Sequence, residues 1–340
     1  MCREEYINDI DKLPMIWANE WTPDPRMLDF EGKKYALTHA TARLITNAHR
    51  ADAIYYPENS IEAVISFYKM GGDVVELDLT PSKDGVLVLM HDGNLKRMTD
   101  WALKKGTRVN GVLLPESPNV SDWTLEELRQ LNLREGNGGN NTPVTEFKIA
   151  TLEEALRVCK NRMFIVPDKV PNWRYADISG VNLTEGKLFL FDAMKKADNY
   201  DSILISYRVT PMDAIVIQKY IYEKTEVVPY ILARHNPHYP EYRYMAPTEV
   251  YDVLNEGAIP DTFAIQFGGT YREGFKTRLA SEYEFLRDKV NIAGWTISAK
   301  GDPFDGEKTW QEMYGLGYRM IMTNNYLELV KYSATICNFD

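Results

Sequence analysis

The chain has 340 residues, with 39 Lys plus Arg against 49 Asp plus Glu, a formal net charge of −10. That balance argues against a nucleic-acid-binding protein, whose affinity rests on basic surface. An anionic ligand must therefore be held by local cations or a bound metal, because the global field repels it.

With 44% hydrophobic and 26% charged residues, the composition is that of an ordinary soluble globular protein. The length fits two average domains or one α/β barrel with extensions. No apolar run approaches the roughly 18 residues of a membrane helix, so no stable membrane insertion is expected. Residues 1–11 are polar and charged, unlike a signal peptide. A signal removed earlier would leave no trace, so the compartment stays open. Cys2, Cys159 and Cys337 are too widely spaced for a disulfide framework or a zinc site.

Residues 1–42 precede the first apolar run and are expected to form an N-terminal extension packed on the outside of the fold. Short β-rich runs then alternate with helical stretches. The runs are 44–49, 74–79, 163–166, 203–207, 227–232, 262–267, 292–297 and 319–323. A further run, 86–90, follows the second across Ser82-Lys83-Asp84-Gly85. Asp-Gly between apolar runs is a hairpin signal, so this strand is expected to pair back antiparallel.

Asn59-Ser60 can cap a helix that Gly71-Gly72 ends. Thr124-Leu125-Glu126-Glu127 and Thr151-Leu152-Glu153-Glu154 both have capping-box spacing. The stretch 101–145, rich in Gly and Asn, reads as an insertion after the hairpin. Eight strands with helices between them predict a (β/α)₈ TIM barrel over residues 43–335. The rival, an open doubly wound sheet, lacks a Gly-x-Gly-x-x-Gly after the first strand.

Three polar clusters end predicted strands: His49-Arg50, Glu76-Leu77-Asp78 and His91-Asp92. In a barrel, side chains at the C-terminal strand ends face the active site. Alternation along a strand points Glu76 and Asp78 to one side. Two adjacent carboxylates repel each other unless a cation sits between them or one is protonated. Carboxylate ligation favours Mg²⁺ or Ca²⁺ over zinc. The same pair would also serve as solvated rim carboxylates. His49 and His91 are two of only five histidines, and such rings exchange protons near neutral pH.

The segment resembles the glycerophosphodiester phosphodiesterases. Their pattern stands here as His49-Arg50, Pro57-Glu58-Asn59-Ser60, Glu76-Leu77-Asp78, Lys83-Asp84-Gly85, His91-Asp92 and Arg97-Met98-Thr99. It continues through Thr151-Leu152-Glu153-Glu154-Ala155-Leu156, Trp295-Thr296 and Thr323-Asn324, covering roughly residues 44–330. The resemblance implies a barrel that hydrolyses a glycerophosphodiester to glycerol phosphate and an alcohol, with one divalent cation, Mg²⁺ or Ca²⁺. It implies His49 and His91 as the acid/base pair, with their separate roles left open. Arg50 and Lys169 are implied to bind phosphate, and Glu76 and Asp78 to bind the metal. The expected partner is a small-molecule phosphodiester, and oligomeric state is not set.

Three departures stand out. The family's Glu-x-Lys is Pro167-Asp168-Lys169, with Asp168 adjacent to the lysine. As a third metal ligand, Asp168 is expected to need a strand break at Pro167, since neighbours face opposite ways. Glu146-Phe147-Lys148 has the literal spacing but precedes the wrong helix, so it reads as a decoy. His-Arg-Gly is His49-Arg50-Ala51, which removes an easy positive φ, and the terminal Thr-Asp is Thr323-Asn324.

Trp295, at a strand end, either lines the pocket against the alcohol moiety or packs in the core. Gln266 either reaches the pocket or caps a barrel layer. His235-Asn236-Pro237-His238 reads as a surface loop. Alternative readings are a phospholipase C- or D-like lipid phosphodiesterase, or a barrel that binds a phosphorylated ligand without turnover. No basic amphipathic helix or aromatic rim marks a membrane face. A glycoside hydrolase would leave the histidines without a role.

Overall fold

In the computed structural model of the chain, the described residues are 3–40, 43–169, 189–207, 211–228, 230–235, 252, 255–256, 263–270, 289–297 and 303–337. Their strands, in order, are β1 Ile45–His49, β2 Val74–Pro81, β3 Leu87–Leu89, β4 Arg108–Val109, β5 Val112–Leu113 and β6 Phe164–Asp168. β7 Leu204–Tyr207, β8 Tyr230–His235, β9 Phe263–Thr270, β10 Asn291–Trp295 and β11 Tyr318–Thr323 follow. The parallel pairings run β6-β2-β1-β11-β10-β9-β8-β7. A parallel bridge from Ile165 to Ile203 then joins β6 to the start of β7. The sheet is TIM-barrel-like, and β3 folds back antiparallel on β2 as the hairpin turn predicts.

Among the described residues, β6 and β7 share a single bridge for a chemical reason. Ile165 N–H donates toward β7, to Ser202 O at 2.7 Å, whereas Phe164 N–H donates toward β2, to Asp73 O at 2.9 Å. Alternation gives the next β7-side donor to residue 167, which is proline and has no N–H.

Alternation also sorts the core. Ile45, Val74, Phe164, Val166, Leu204, Ala293 and Met320 share one buried cluster. Their sequence neighbours Leu44, Val75, Ile165, Ile203, Ile205, Ile292 and Ile321 belong to another, with the helices. The first set lines the inside of the sheet and the second its outer face.

Three helices begin where their caps dictate. Ser60 Oγ accepts from Ala63 N at 3.1 Å to start Ile61–Met70, and Gly71 ends it at φ 99°. Thr124 and Thr151 both form complete capping boxes. Residues 88–149 add a satellite core around the buried Trp123.

The N-terminal stretch meets the barrel along much of its length, and Trp17 Nε1, for example, donates to Ser66 Oγ at 2.7 Å. The helix Arg3–Asn8 lies outside, where Tyr6 Oη donates to Glu62 and Arg3 Nη1 donates to Ile149 O at 2.9 Å. The helix Phe30–Thr38 does not lie on the outside. Its Phe30, Ala36 and Leu37 are apolar and join the interior cluster. Lys33 Nζ donates to Gly72 O at 2.6 Å and Arg162 O at 2.9 Å, carbonyls of the loops that enter β2 and β6. Asn291 Nδ2, where β10 begins, donates to Leu37 O at 2.6 Å. This helix therefore covers the N-terminal end of the sheet, leaving the C-terminal end as the mouth.

Gly294 is fixed by a close approach. A Cβ there would stand 2.5 Å from Tyr318 Cε1 and 2.9 Å from Met313 Cε, whereas one on Gly315 would meet nothing within 4 Å. Gly294→Ala is expected to destabilise the fold by about 1–3 kcal/mol through overpacking. Gly315→Ala, in the helix Glu307–Gly315, should be neutral or stabilising by up to about 1 kcal/mol. Urea denaturation of the two variants checks both.

Candidate active site

β2 and β6 carry their carboxylates on the inner face. In β2, Glu76 and Asp78 continue the side of Val74, and in β6, Asp168 continues the side of Phe164 and Val166. Asp78 pairs with Asp168 in register, directly beyond the Leu77–Pro167 pair. Paired residues of a parallel ladder share a face. One oxygen from each of Glu76, Asp78 and Asp168 lies within 4.8 Å of the others. Glu76 and Asp78 are buried, and Asp168 is half-buried.

The strand does not break at Pro167, contrary to the sequence expectation. β6 runs unbroken through Asp168 with no shift of register. Lys169 is the residue that turns, at φ 56°. That left-handed step frees its side chain from strand alternation. Lys169 Nζ lies 3.4 Å from Asp78 Oδ1 and donates to His91 O at 2.8 Å. Glu146 is exposed and Lys148 Nζ donates to Asn132 Oδ1 at 2.6 Å, so neither belongs to this cluster.

Arg50 and Ala51 both adopt left-handed backbone, at φ 60° and 61°. A glycine would take this turn without strain, and here two L-residues bear it. The turn aims Arg50 N–H at Glu76 Oε2, 3.1 Å away. Arg50 Nη1 donates to Glu58 Oε2 at 3.1 Å, and Nε stands 3.3 Å from Asp78 Oδ2. Asn59 grips Asp78 twice: its Nδ2 donates to Oδ2 at 3.1 Å, and its Oδ1 accepts from Asp78 N at 3.0 Å.

The two histidines have different partners. His49 ends β1, in register with Glu76. Its Nδ1 meets Asn324 Oδ1 at 2.8 Å. Burial first, and then the Arg50 charge, push its imidazole down to about 4. His91 Nδ1 meets Asp92 Oδ1 at 2.7 Å. Asp92 Oδ2 accepts from Arg97 Nε at 2.7 Å, and Arg97 Nη2 donates to Glu58 Oε1 at 2.7 Å. Despite its partial burial, hydrogen bonds from Arg97 and His91 hold the Asp92 carboxyl down at about 2. Glu58 thus links the phosphate-binding candidate Arg50 to the orienter of His91.

Trp295 is half-buried at the end of β10, in register with Met322. The side chains of His235 and Gln266, and residues 236–238, lie outside the described residues.

The three-carboxylate cluster fits one hard divalent cation. It offers only oxygen donors, two of its members are buried, and Arg50 and Lys169 offset only part of its charge.

Residues 49–259 match the sequence model of the Glycerophosphoryl diester phosphodiesterase family. The chain belongs to that family. It is 33% identical to a glycerophosphodiester phosphodiesterase of Bacillus subtilis over 136 residues, 38% of this chain and 41% of that protein. It is 35% identical to glycerophosphodiester phosphodiesterase 1 of Homo sapiens over 119 residues, 35% of this chain and 31% of that protein. The matches thus span less than half the length of these two relatives.

Among solved structures, a glycerophosphoryl diester phosphodiesterase from Parabacteroides distasonis is similar with a TM-score of 0.62 and 20% identity. The match covers 92% of this chain and 94% of that one. A phosphodiesterase from Oleispira antarctica, solved with the product sn-glycerol-3-phosphate, is similar with a TM-score of 0.53 and 18% identity. Here 86% of this chain and 97% of that one are covered. At these identities the likeness is one of fold.

Within the family pattern, Asp168 is this chain's distinctive member. Asp168→Asn should weaken Mg²⁺ or Ca²⁺ affinity by roughly 10-fold or more, since it removes one of the cluster's three carboxylates. Lys169→Met should leave that affinity unchanged or tighter, because it removes a competing positive charge. Calorimetric titration of both variants with each ion checks this.

Proposed function

We propose that the chain hydrolyses a glycerophosphodiester to glycerol phosphate and an alcohol, using one divalent cation held by Glu76, Asp78 and Asp168. The observation that carries this reading is the convergence of three carboxylates with Lys169, Arg50 and two separately oriented histidines at one end of the sheet. Family membership supports it. When bound, the cation would offset charge developing on the phosphoryl oxygens.

The chain's own residues account for the rest. Arg50 and Lys169 bring positive charge to the phosphate site. The planar donor fork of Arg50 suits a bidentate hold on phosphate. His49 and His91 carry the protons: one takes a proton from the neighbouring glycerol hydroxyl as it attacks phosphorus, the other gives one to the leaving alkoxide, and water then opens the cyclic phosphate to glycerol phosphate. Asp92 fixes the His91 ring, and Asn324 fixes the His49 ring. Trp295, at the strand end, offers a flat apolar wall to the alcohol moiety.

The test is a ³¹P NMR assay over a panel of glycerophosphodiesters. The wild-type chain should produce glycerol phosphate with Mg²⁺ or Ca²⁺ and stop in excess EDTA. His49→Ala and His91→Ala should each lower kcat by roughly 10²–10⁴-fold at little cost in stability. A variant that keeps near-wild-type kcat would make that histidine structural, and full turnover in EDTA would remove the cation.

A further inference from the structure

Asp305 lies outside every motif that the family pattern supplies. It is buried in the chain between β10 and the helix Glu307–Gly315, and its carboxylate gathers donors from two strand ends. Thr296 Oγ1, just past β10, donates to Asp305 Oδ1 at 2.5 Å. Thr323 Oγ1, the last residue of β11, donates to the same oxygen. Asn324 N–H donates to Oδ2 at 2.9 Å. Thr296 and Thr323 are both fully buried. Thr296 Oγ1 also accepts from Trp310 Nε1 at 3.2 Å, and Asn325 N–H donates to Thr323 Oγ1 at 2.8 Å.

The consequence lies one residue on. The backbone that Asp305 holds is that of Asn324, whose Oδ1 faces His49 Nδ1 at 2.8 Å. An amide oxygen only accepts, so His49 Nδ1 carries the proton and Nε2 keeps its lone pair. The ring's tautomer and direction thus depend on where Asn324 sits. The Tyr326 hydroxyl fixes the His49 backbone, donating to its carbonyl at 2.9 Å.

We propose that Asp305 is a positioning residue for the hydrolysis proposed above. By tying the ends of β10 and β11 to the backbone of Asn324, it holds His49 as the Nδ1–H tautomer. A buried carboxylate that receives three donors is costly to disturb, because each donor left behind would be buried without a partner.

The role rests on the hydrolase reading, so its test carries one readout independent of turnover. ¹⁵N NMR of labelled histidine reports the His49 tautomer directly. In the wild type it should show one protonated Nδ1 and one bare Nε2. Asp305→Ala should convert this to a tautomer mixture, and Asn324→Ala should do the same. In the ³¹P assay, Asp305→Ala should lower kcat by roughly 10–100-fold, the scale usual for residues that orient a working side chain. KM and cation affinity should change by less than about 2-fold, since Asp305 touches neither set of ligands.

The double variant should lose no more than the larger single loss, because both act through one ring. If Asp305→Ala does not fold, Asp305→Asn serves with the same readouts, since its amide must turn a donor toward Asn324 N–H or the two hydroxyls. Losses that multiply in the double variant, or an unchanged His49 tautomer, would overturn the proposal. Absence of wild-type turnover would overturn the hydrolase reading and leave the tautomer result standing by itself.

Discussion

Three carboxylates forced onto one face of two neighbouring strands set the terms for the rest of this molecule. At separations up to 4.8 Å, each like-charged pair repels by roughly 3–4 kcal/mol at an effective dielectric near 20. The strands cannot relieve this, because alternation and register fix the directions of Glu76, Asp78 and Asp168. Nearby cations offset it. Arg50 and Lys169 supply part of the offset, each within 3.4 Å of Asp78, and a divalent ion suits the remainder. Both cationic side chains leave left-handed backbone positions. Strain at these two points is therefore coupled to the charge that the strands bring together.

The surrounding fold protects this arrangement at several levels. The helix Phe30–Thr38 covers the opposite end of the sheet and ties down the loops that lead into β2 and β6. Asn59, at the start of the first barrel helix, locks Asp78 from its backbone and its side chain. Glu58 and Arg97 carry the order on to Asp92 and His91. In a chain with net charge −10, Arg50 and Lys169 concentrate positive charge beside Asp78.

Much of this was legible in the sequence. Each of the eight apolar runs overlaps a parallel strand, because a strand covered on both faces reads as a continuous apolar stretch. The caps at Ser60, Thr124 and Thr151 were legible because capping chemistry is local. Glu76 and Asp78 declared themselves by spacing. Asp168 was harder. Read against Lys169, it demanded a broken strand, whereas read against Phe164 and Val166 its inward direction follows directly. The lysine misleads as a reference because it is the residue that leaves the strand. The extension 1–42 looked like one outer layer, and the apolar face of Phe30, Ala36 and Leu37 was too short a pattern to announce a barrel floor. Asp305 was not legible at all, since its donors come from residues 296, 323 and 324 and meet only in the folded chain.

The most direct test of the account is the place where a cation binds. Crystals grown with Mn²⁺, which shares the oxygen preference of Mg²⁺ and Ca²⁺, should show one anomalous peak in contact with Glu76, Asp78 and Asp168 together. A peak held by Glu76 and Asp78 alone with Asp168 turned away, or no peak at this cluster in crystals saturated with the ion, would contradict the account.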